Sequence, residues 1–151
     1  MISCEMIFLD TSFIVAFFNN KDKNYKQART IIKETMEINS QILFVYTDYI
    51  FDELITLLKN KHQPINQILE IGENILNSKI WKRITITNEQ FYETWEMCKA
   101  YEDKSWSFTD ISSFILMKEI NIKFYLSYDK HFEQYGKIIR WDPEFLNDKI
   151  E

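Results

Sequence analysis

Short apolar runs alternate with longer amphipathic stretches along most of this chain, and that alternation leaves few folds open. Residues 6–9, 42–46, 81–86 and 123–128 are brief and rich in aliphatic and aromatic side chains, as buried parallel strands are. Residues 137–141 are a candidate short fifth strand. Helical periodicity marks 25–38, 49–61, 65–76, 88–101 and 109–120. Pro64 stands just before one of these helices, where its missing N–H is tolerated, and Asn88 is a candidate N-cap for the Asn-Glu-Gln-Phe run it opens. Residues 11–18 are ambiguous between strand and helix, because Phe-Ile-Val-Ala-Phe-Phe is β-branched and aromatic. The alternation predicts a three-layer α/β/α sandwich around a central, mainly parallel sheet of four to five strands. With no repeat, linker or low-complexity stretch, 1–151 is expected to be a single domain.

Composition narrows the function. A hydrophobic share of 46% with only two glycines and two prolines argues for a packed core rather than a disordered chain. Aromatic residues make up 16%, more than one small core readily uses, and a surplus of this kind often marks an interface. The formal net charge of −5 means that no global basic field attracts nucleic acid, so an RNA or DNA substrate would need a local patch or a cation. Cys4 and Cys98 are too few for a disulfide framework and are expected to be reduced thiols. No apolar run approaches the about 18 residues of a membrane span, and the Met-Ile-Ser-Cys-Glu start lacks a basic segment or cleavage site. The expectation is a cytoplasmic protein without a membrane association.

Four acidic residues fall where such a sheet would gather them. Asp10 ends the first apolar run and Asp129 the fourth, so both belong to the carboxyl edge of the sheet, where ligands of α/β proteins bind. Glu53 sits on the rim of a helical arc formed by Ile50, Leu54, Leu57 and Leu58, whereas its neighbour Asp52 points away from that arc and reads as solvated. Asp110 shares a helical face with Phe114 and Met117. Each acid also has a purely structural explanation: Asp10 and Asp129 as N-caps, Asp110 in a capping box with Ser107, and Glu53 as a rim residue reaching water. Together, however, four carboxylates in one pocket repel one another unless a cation sits between them.

The blocks Asp-Thr-Ser-Phe at 10–13, Thr-Asp-Tyr-Ile-Phe-Asp-Glu-Leu at 47–54, Ser-Phe-Thr-Asp at 107–110 and Ser-Tyr-Asp-Lys-His-Phe at 127–132 resemble, in order and interval, the PIN-domain family and within it the VapC-type toxins. The resemblance runs from about Met6 to Ile139. It implies a metal-dependent ribonuclease whose acidic quartet corresponds to Asp10, Glu53, Asp110 and Asp129. The family's hydroxyl beside the first or third acid corresponds to Thr11 or Thr109, and Ser127 matches another small polar position. It also implies a homodimer, an antitoxin protein as partner, and single-stranded or looped RNA as substrate.

The chemistry of the residues agrees. Mg²⁺ and Mn²⁺ take oxygen ligands, and Mg²⁺ keeps several waters, so a few carboxylates suffice. His62 and His131 lie in polar contexts and are expected to be solvated. Lys21, Lys23, Lys104 and Lys130 lie near the acidic blocks and are candidates for phosphate contacts. Trp106 is a core residue or a stacking platform for a base. Competing readings are an RNA-processing nuclease outside a toxin system and a non-catalytic binding module of the same fold. A haloacid-dehalogenase-like phosphatase would need an acid where Ser12 stands, and a dinucleotide-binding protein would need a glycine fingerprint this chain lacks.

Overall fold

The computed structural model describes residues 5–147. Five strands form one all-parallel sheet: β1 (Met6–Leu9), β2 (Leu43–Thr47), β3 (Trp81–Ile84), β4 (Phe124–Leu126) and β5 (Ile139–Arg140), in the order β3-β2-β1-β4-β5. The central β1 pairs Ile7 with Phe44 on one side and Phe124 on the other. Ile7, Phe8 and Leu9 are wholly buried, which is why this strand carries no polar alternation.

Eight helices connect and follow the strands: α1 (Thr11–Phe18), α2 (Tyr25–Ile38), α3 (Asp48–Asn60), α4 (Ile65–Leu76), α5 (Asn88–Ala100), α6 (Phe108–Glu119), α7 (Lys130–Tyr135) and α8 (Glu144–Asn147). The chain steps outward from β1 to β3, then crosses back past β1 to β4 and β5. Right-handed crossovers therefore put α1–α4 on one face of the sheet and α5–α7 on the other. The α/β/α sandwich predicted from the sequence is the architecture found.

The ambiguous 11–18 segment is helical. Its β-branched and aromatic residues are poor helix formers in isolation. Phe13, Ile14, Val15 and Ala16 are all buried, and α1 packs against α2 and α3, so tertiary burial overrides local preference. Two strands are shorter than the periodicity suggests. β4 stops at Leu126 because the amides of Tyr128 and Asp129 donate to the Ser12 and Ser127 hydroxyls instead of a ladder partner. β3 stops at Ile84, and the Ile86 amide beyond it donates to Asp48 Oδ1 at 2.9 Å. The N-cap of α5 is Thr87 rather than Asn88: Thr87 and Gln90 form a reciprocal capping box, with Asn88 as the first helical residue.

Much of the aromatic surplus is core. On the α6 face, the buried Phe114 stacks on Tyr135 at 4.2 Å and meets Phe132 at 5.0 Å and Trp106 at 5.3 Å edge-on. Phe132 in turn stacks over Phe8 of β1. On the other face, Trp81 anchors Phe17, Phe18 and Phe44. Cys98 is a free thiol; Cys4 lies outside the described residues. Among the described residues no helix is long and apolar enough to cross a membrane.

Phe114→Ala removes the ring that Trp106, Phe132 and Tyr135 all touch. Chemical denaturation is expected to show a loss of about 3–5 kcal/mol. A loss below about 1 kcal/mol would mean the aromatic cluster is not cooperative.

Candidate active site

The direction of chain travel reverses around β1, and in parallel sheets such a switch point opens a crevice beyond the carboxyl ends of the strands. Asp10 directly follows β1. Asp129 stands three residues after β4, Glu53 lies in the second turn of the helix that follows β2, and Asp110 lies in the first turn of the helix that leads to β4. All four predicted acids are thereby carried to one edge.

Asp10 is the most buried of them, with 3% of its surface exposed. It occupies the N-cap position of α1, with extended backbone (φ −82°, ψ 157°), yet its side chain caps nothing. Instead its Oδ2 accepts from Ser127 Oγ at 2.7 Å and from Ser12 Oγ at 2.8 Å. The protons can be counted. Each serine spends its one hydroxyl proton on Asp10, and each serine oxygen accepts a backbone N–H, from Tyr128 to Ser12 and from Asp129 to Ser127. The 3.1 Å contact between the two serines therefore carries no proton. Among the described residues Asp10 Oδ1 accepts no hydrogen bond, so it is the oxygen left for something else. Burial pushes the Asp10 carboxyl up to about 6; the two serine hydrogen bonds pull it down, and the negative charges of Asp110 and Glu53 push it up again.

Asp110 is also buried and does have the capping role its sequence suggested. Its amide donates to Ser107 Oγ, and its Oδ2 accepts from the Ser107 amide at 3.0 Å. The same Oδ2 lies 2.9 Å from Nδ1 of His131, a contact an ionised carboxylate makes only with an Nδ1–H. His131 Nδ1 is 3.4 Å from Asp129 Oδ1, and Nε2 is 3.3 Å from Ser105 Oγ. His131 is thus not the solvated residue that its polar context predicts; it links two of the acids. His62 is exposed, as expected. Asp129 caps α7 by accepting from the His131 amide at 3.0 Å.

Glu53 is half-buried, and the Thr11 hydroxyl is the side-chain partner beside it. Burial raises its carboxyl above the ordinary range; the nearby Thr11 hydroxyl lowers it, and the charges of Asp110, Asp129 and Asp52 raise it. Thr11 Oγ1 is itself buried without a hydrogen-bond partner of good geometry, an orphan oxygen between Glu53 and Asp10. Thr109 contributes through its carbonyl, which accepts from Ser112 and Ser113. Asp52 is exposed, as its helical angle predicts.

The four carboxylates share one electrostatic neighbourhood without closing on a point. Among the described residues no three Asp, Glu, His or Cys side chains converge closely enough to ligate one ion directly. Of the lysines singled out in the sequence, Lys104 pairs with Asp103 at 3.8 Å, and Lys130 lines a cleft that reaches the site. Trp106 is partly buried among Tyr101, Phe114 and Tyr135, with its Nε1 donating to Gln134, so it is a packing residue. Sequence reading missed Ser12 and His131. Both stand two residues after a strand-end acid, where a helix start folds a side chain back towards its cap, and that spacing was the available signal.

The PIN-domain family model matches residues 7–138. The chain belongs to the PIN-domain family. This PIN domain is similar to a VapC ribonuclease of Archaeoglobus fulgidus, with 32% identity over 126 residues, covering 82% of this chain and 77% of the relative. Its fold is similar to the crystal structure of Mycobacterium tuberculosis VapC20, described as a sarcin-ricin loop cleaving toxin. That match has a TM-score of 0.76 at 22% identity and covers 87% of this chain and 96% of the other. The family, the all-parallel sheet and the homology to VapC ribonucleases are therefore established.

The buried Asp10 of this PIN domain makes stability pH-dependent. Its folded value of about 6 lies above the unfolded 3.8, so the folded state holds the proton more tightly. The stabilisation is complete below pH 4 and is lost as pH rises through 6, by roughly 2–3 kcal/mol. Denaturation in EDTA should show this fall in the native protein and not in Asp10→Asn, which should be the more stable of the two at pH 7. Parallel pH profiles would show that Asp10 is not desolvated.

Proposed function

We propose that the protein is a Mg²⁺- or Mn²⁺-dependent endoribonuclease acting on single-stranded or looped RNA, with Asp10, Glu53, Asp110 and Asp129 as its catalytic and metal-holding residues. The observation that carries this reading is Asp10. A carboxylate is buried beside other negative charges, is excused from capping its own helix, and is held through one oxygen so that the other stays free. Burying an ionisable group in this way costs free energy, and a divalent cation would offset that cost.

The residues fit such an ion. The available donors are all oxygens, the preference of Mg²⁺ and Mn²⁺, and Thr11 Oγ1 is an unpartnered buried oxygen beside them. When bound, the ion supplies positive charge to the scissile phosphate and acidifies a coordinated water. Asp10, Asp110 and Asp129 would hold it, directly or through water. The serines fix the Asp10 rotamer, and Ser107 and His131 fix Asp110. Glu53 caps no helix, has only the Thr11 hydroxyl beside it and has a raised proton affinity, which supports a role in orienting the attacking water.

Homology to VapC ribonucleases supports a toxin role, with RNA as substrate and an antitoxin protein as inhibitor. A homodimer suits the apolar surface left over: Phe91, Tyr92 and Trp95 of α5 are 41%, 60% and 53% exposed. Cleavage of a structured RNA pool by purified protein is the test. Cutting is expected with Mn²⁺ or Mg²⁺, not in EDTA, and not by Asp110→Asn. In parallel, a hundredfold excess of either ion over its Kd should stabilise the native fold by about 2.7 kcal/mol and leave Asp10→Asn unmoved. Metal binding without cleavage would point to a binding module, and no metal response would exclude a shared ion site.

A further inference from the structure

A chain of net charge −5 that presents four acids to RNA needs somewhere to hold the phosphates flanking the cut. Four of its cations are engaged elsewhere. Lys99 pairs with Glu96 at 2.8 Å, Lys33 with Glu37 and Lys104 with Asp103, and Arg29 lies over the Phe17 and Tyr25 rings while donating to the Phe17 carbonyl. A groove of about 960 Å³ between α5 and α6 is lined by Glu89, Glu93, Glu96 and Glu119 against two lysines, and it repels a polyanion.

One cleft differs. It measures about 360 Å³ and lies between the ends of β4 and β5. Its lining begins at Ser127 and Asp129 of the site and continues to Tyr128, Lys130, Glu133 and Arg140. Arg140 is exposed on the edge strand, its guanidinium 5.3 Å from the centre of the Tyr128 ring. That ring is held from behind by stacking on Phe13 at 5.8 Å and by its hydroxyl, which donates to Gln27 at 2.9 Å. Arg140 therefore rests on a fixed platform. Among the described residues neither Arg140 nor Lys130 forms an ion pair with a carboxylate. Two cations with no carboxylate partner among the described residues thus stand in the same cleft as Asp129, one on the helix it caps and one on the neighbouring strand beside Tyr128. Glu133 in the same cleft, and Asp22 within electrostatic reach of Tyr128, keep it from being a diffuse basic patch. An anion is favoured at the cation end alone.

We infer that this cleft is a backbone-phosphate subsite for RNA, in which Arg140 and Lys130 hold a phosphodiester adjacent to the one presented to Asp10 and Asp129. The inference rests on the ribonuclease reading. It assigns Arg140 to substrate positioning: an arginine takes two phosphate oxygens in a fixed fork, which sets the register of the strand as well as its affinity.

The test compares native protein with Arg140→Gln, Lys130→Gln and Arg140→Lys. It uses cleavage of one RNA oligonucleotide, and fluorescence-anisotropy binding of the same RNA in EDTA across a salt series. Arg140→Gln should raise KM and the RNA Kd by about tenfold with kcat within twofold. The slope of log K against log salt should fall by about 0.7, the value of one single-strand phosphate contact. Lys130→Gln should do the same more weakly, and Arg140→Lys should keep the salt slope while losing part of the affinity. The Mn²⁺-induced rise in Tm should match that of the native protein in every variant. An unchanged KM and salt slope in Arg140→Gln, or a loss confined to kcat, overturns the subsite while leaving the nuclease intact. Native protein that neither cuts nor binds RNA overturns the ribonuclease reading and the subsite with it.

Discussion

Two serine hydroxyls converge on one oxygen of a carboxylate that water barely reaches, and the rest of the site is arranged around that contact. Desolvation makes the Asp10 charge costly, and hydrogen bonds from Ser12 and Ser127 return only part of the difference. The same serines accept the amides of Tyr128 and Asp129. The end of β1 and the end of β4 are therefore tied through side chains where the sheet ladder has stopped. Any rotation of either serine would unsettle a carboxylate, a strand end and the cap of α7 together.

Around this knot, structural and chemical roles fall on the same atoms. Asp110 caps α6 and still lies within electrostatic reach of Asp10 and Glu53. Asp129 caps α7 and stands 3.4 Å from the histidine that touches Asp110. Capping fixes where these carboxylates sit before any ligand arrives, so part of the cost of ordering them is met by folding. Glu53 is the exception. It caps no helix, and the hydroxyl beside it is that of Thr11 rather than a backbone amide.

The main lines of this arrangement were legible in the residue order because they depend on local patterns. Asp10 and Asp129 end apolar runs, and Glu53 and Asp52 separate cleanly by helical angle. The Ser107–Asp110 spacing announced a capping box that the structure contains. What stayed hidden depends on distant contacts. The 11–18 segment is helical only because the sheet, α2 and α3 bury it. His131 reads as solvated until α6 is brought beside α7, and Ser12 reads as a mere non-acid until Ser127 arrives opposite it. The cleft that brings Arg140 beside Ser127 and Asp129 is likewise invisible in the residue order.

Ser127 and Asp10 are 117 positions apart, and this separation bears on when the protein can act. A ribosome delivers Asp10, Glu53 and Asp110 well before β4, so a growing chain holds three of the acids and lacks the hydroxyl that orders the first. Closing so long a loop is among the slower and later events in the formation of a domain. The central strand must meanwhile wait for its second neighbour, leaving one edge of β1 open until the last quarter of the chain emerges. The ordering of Asp10 by Ser127 is thus a property that only a chain reaching past β4 can have.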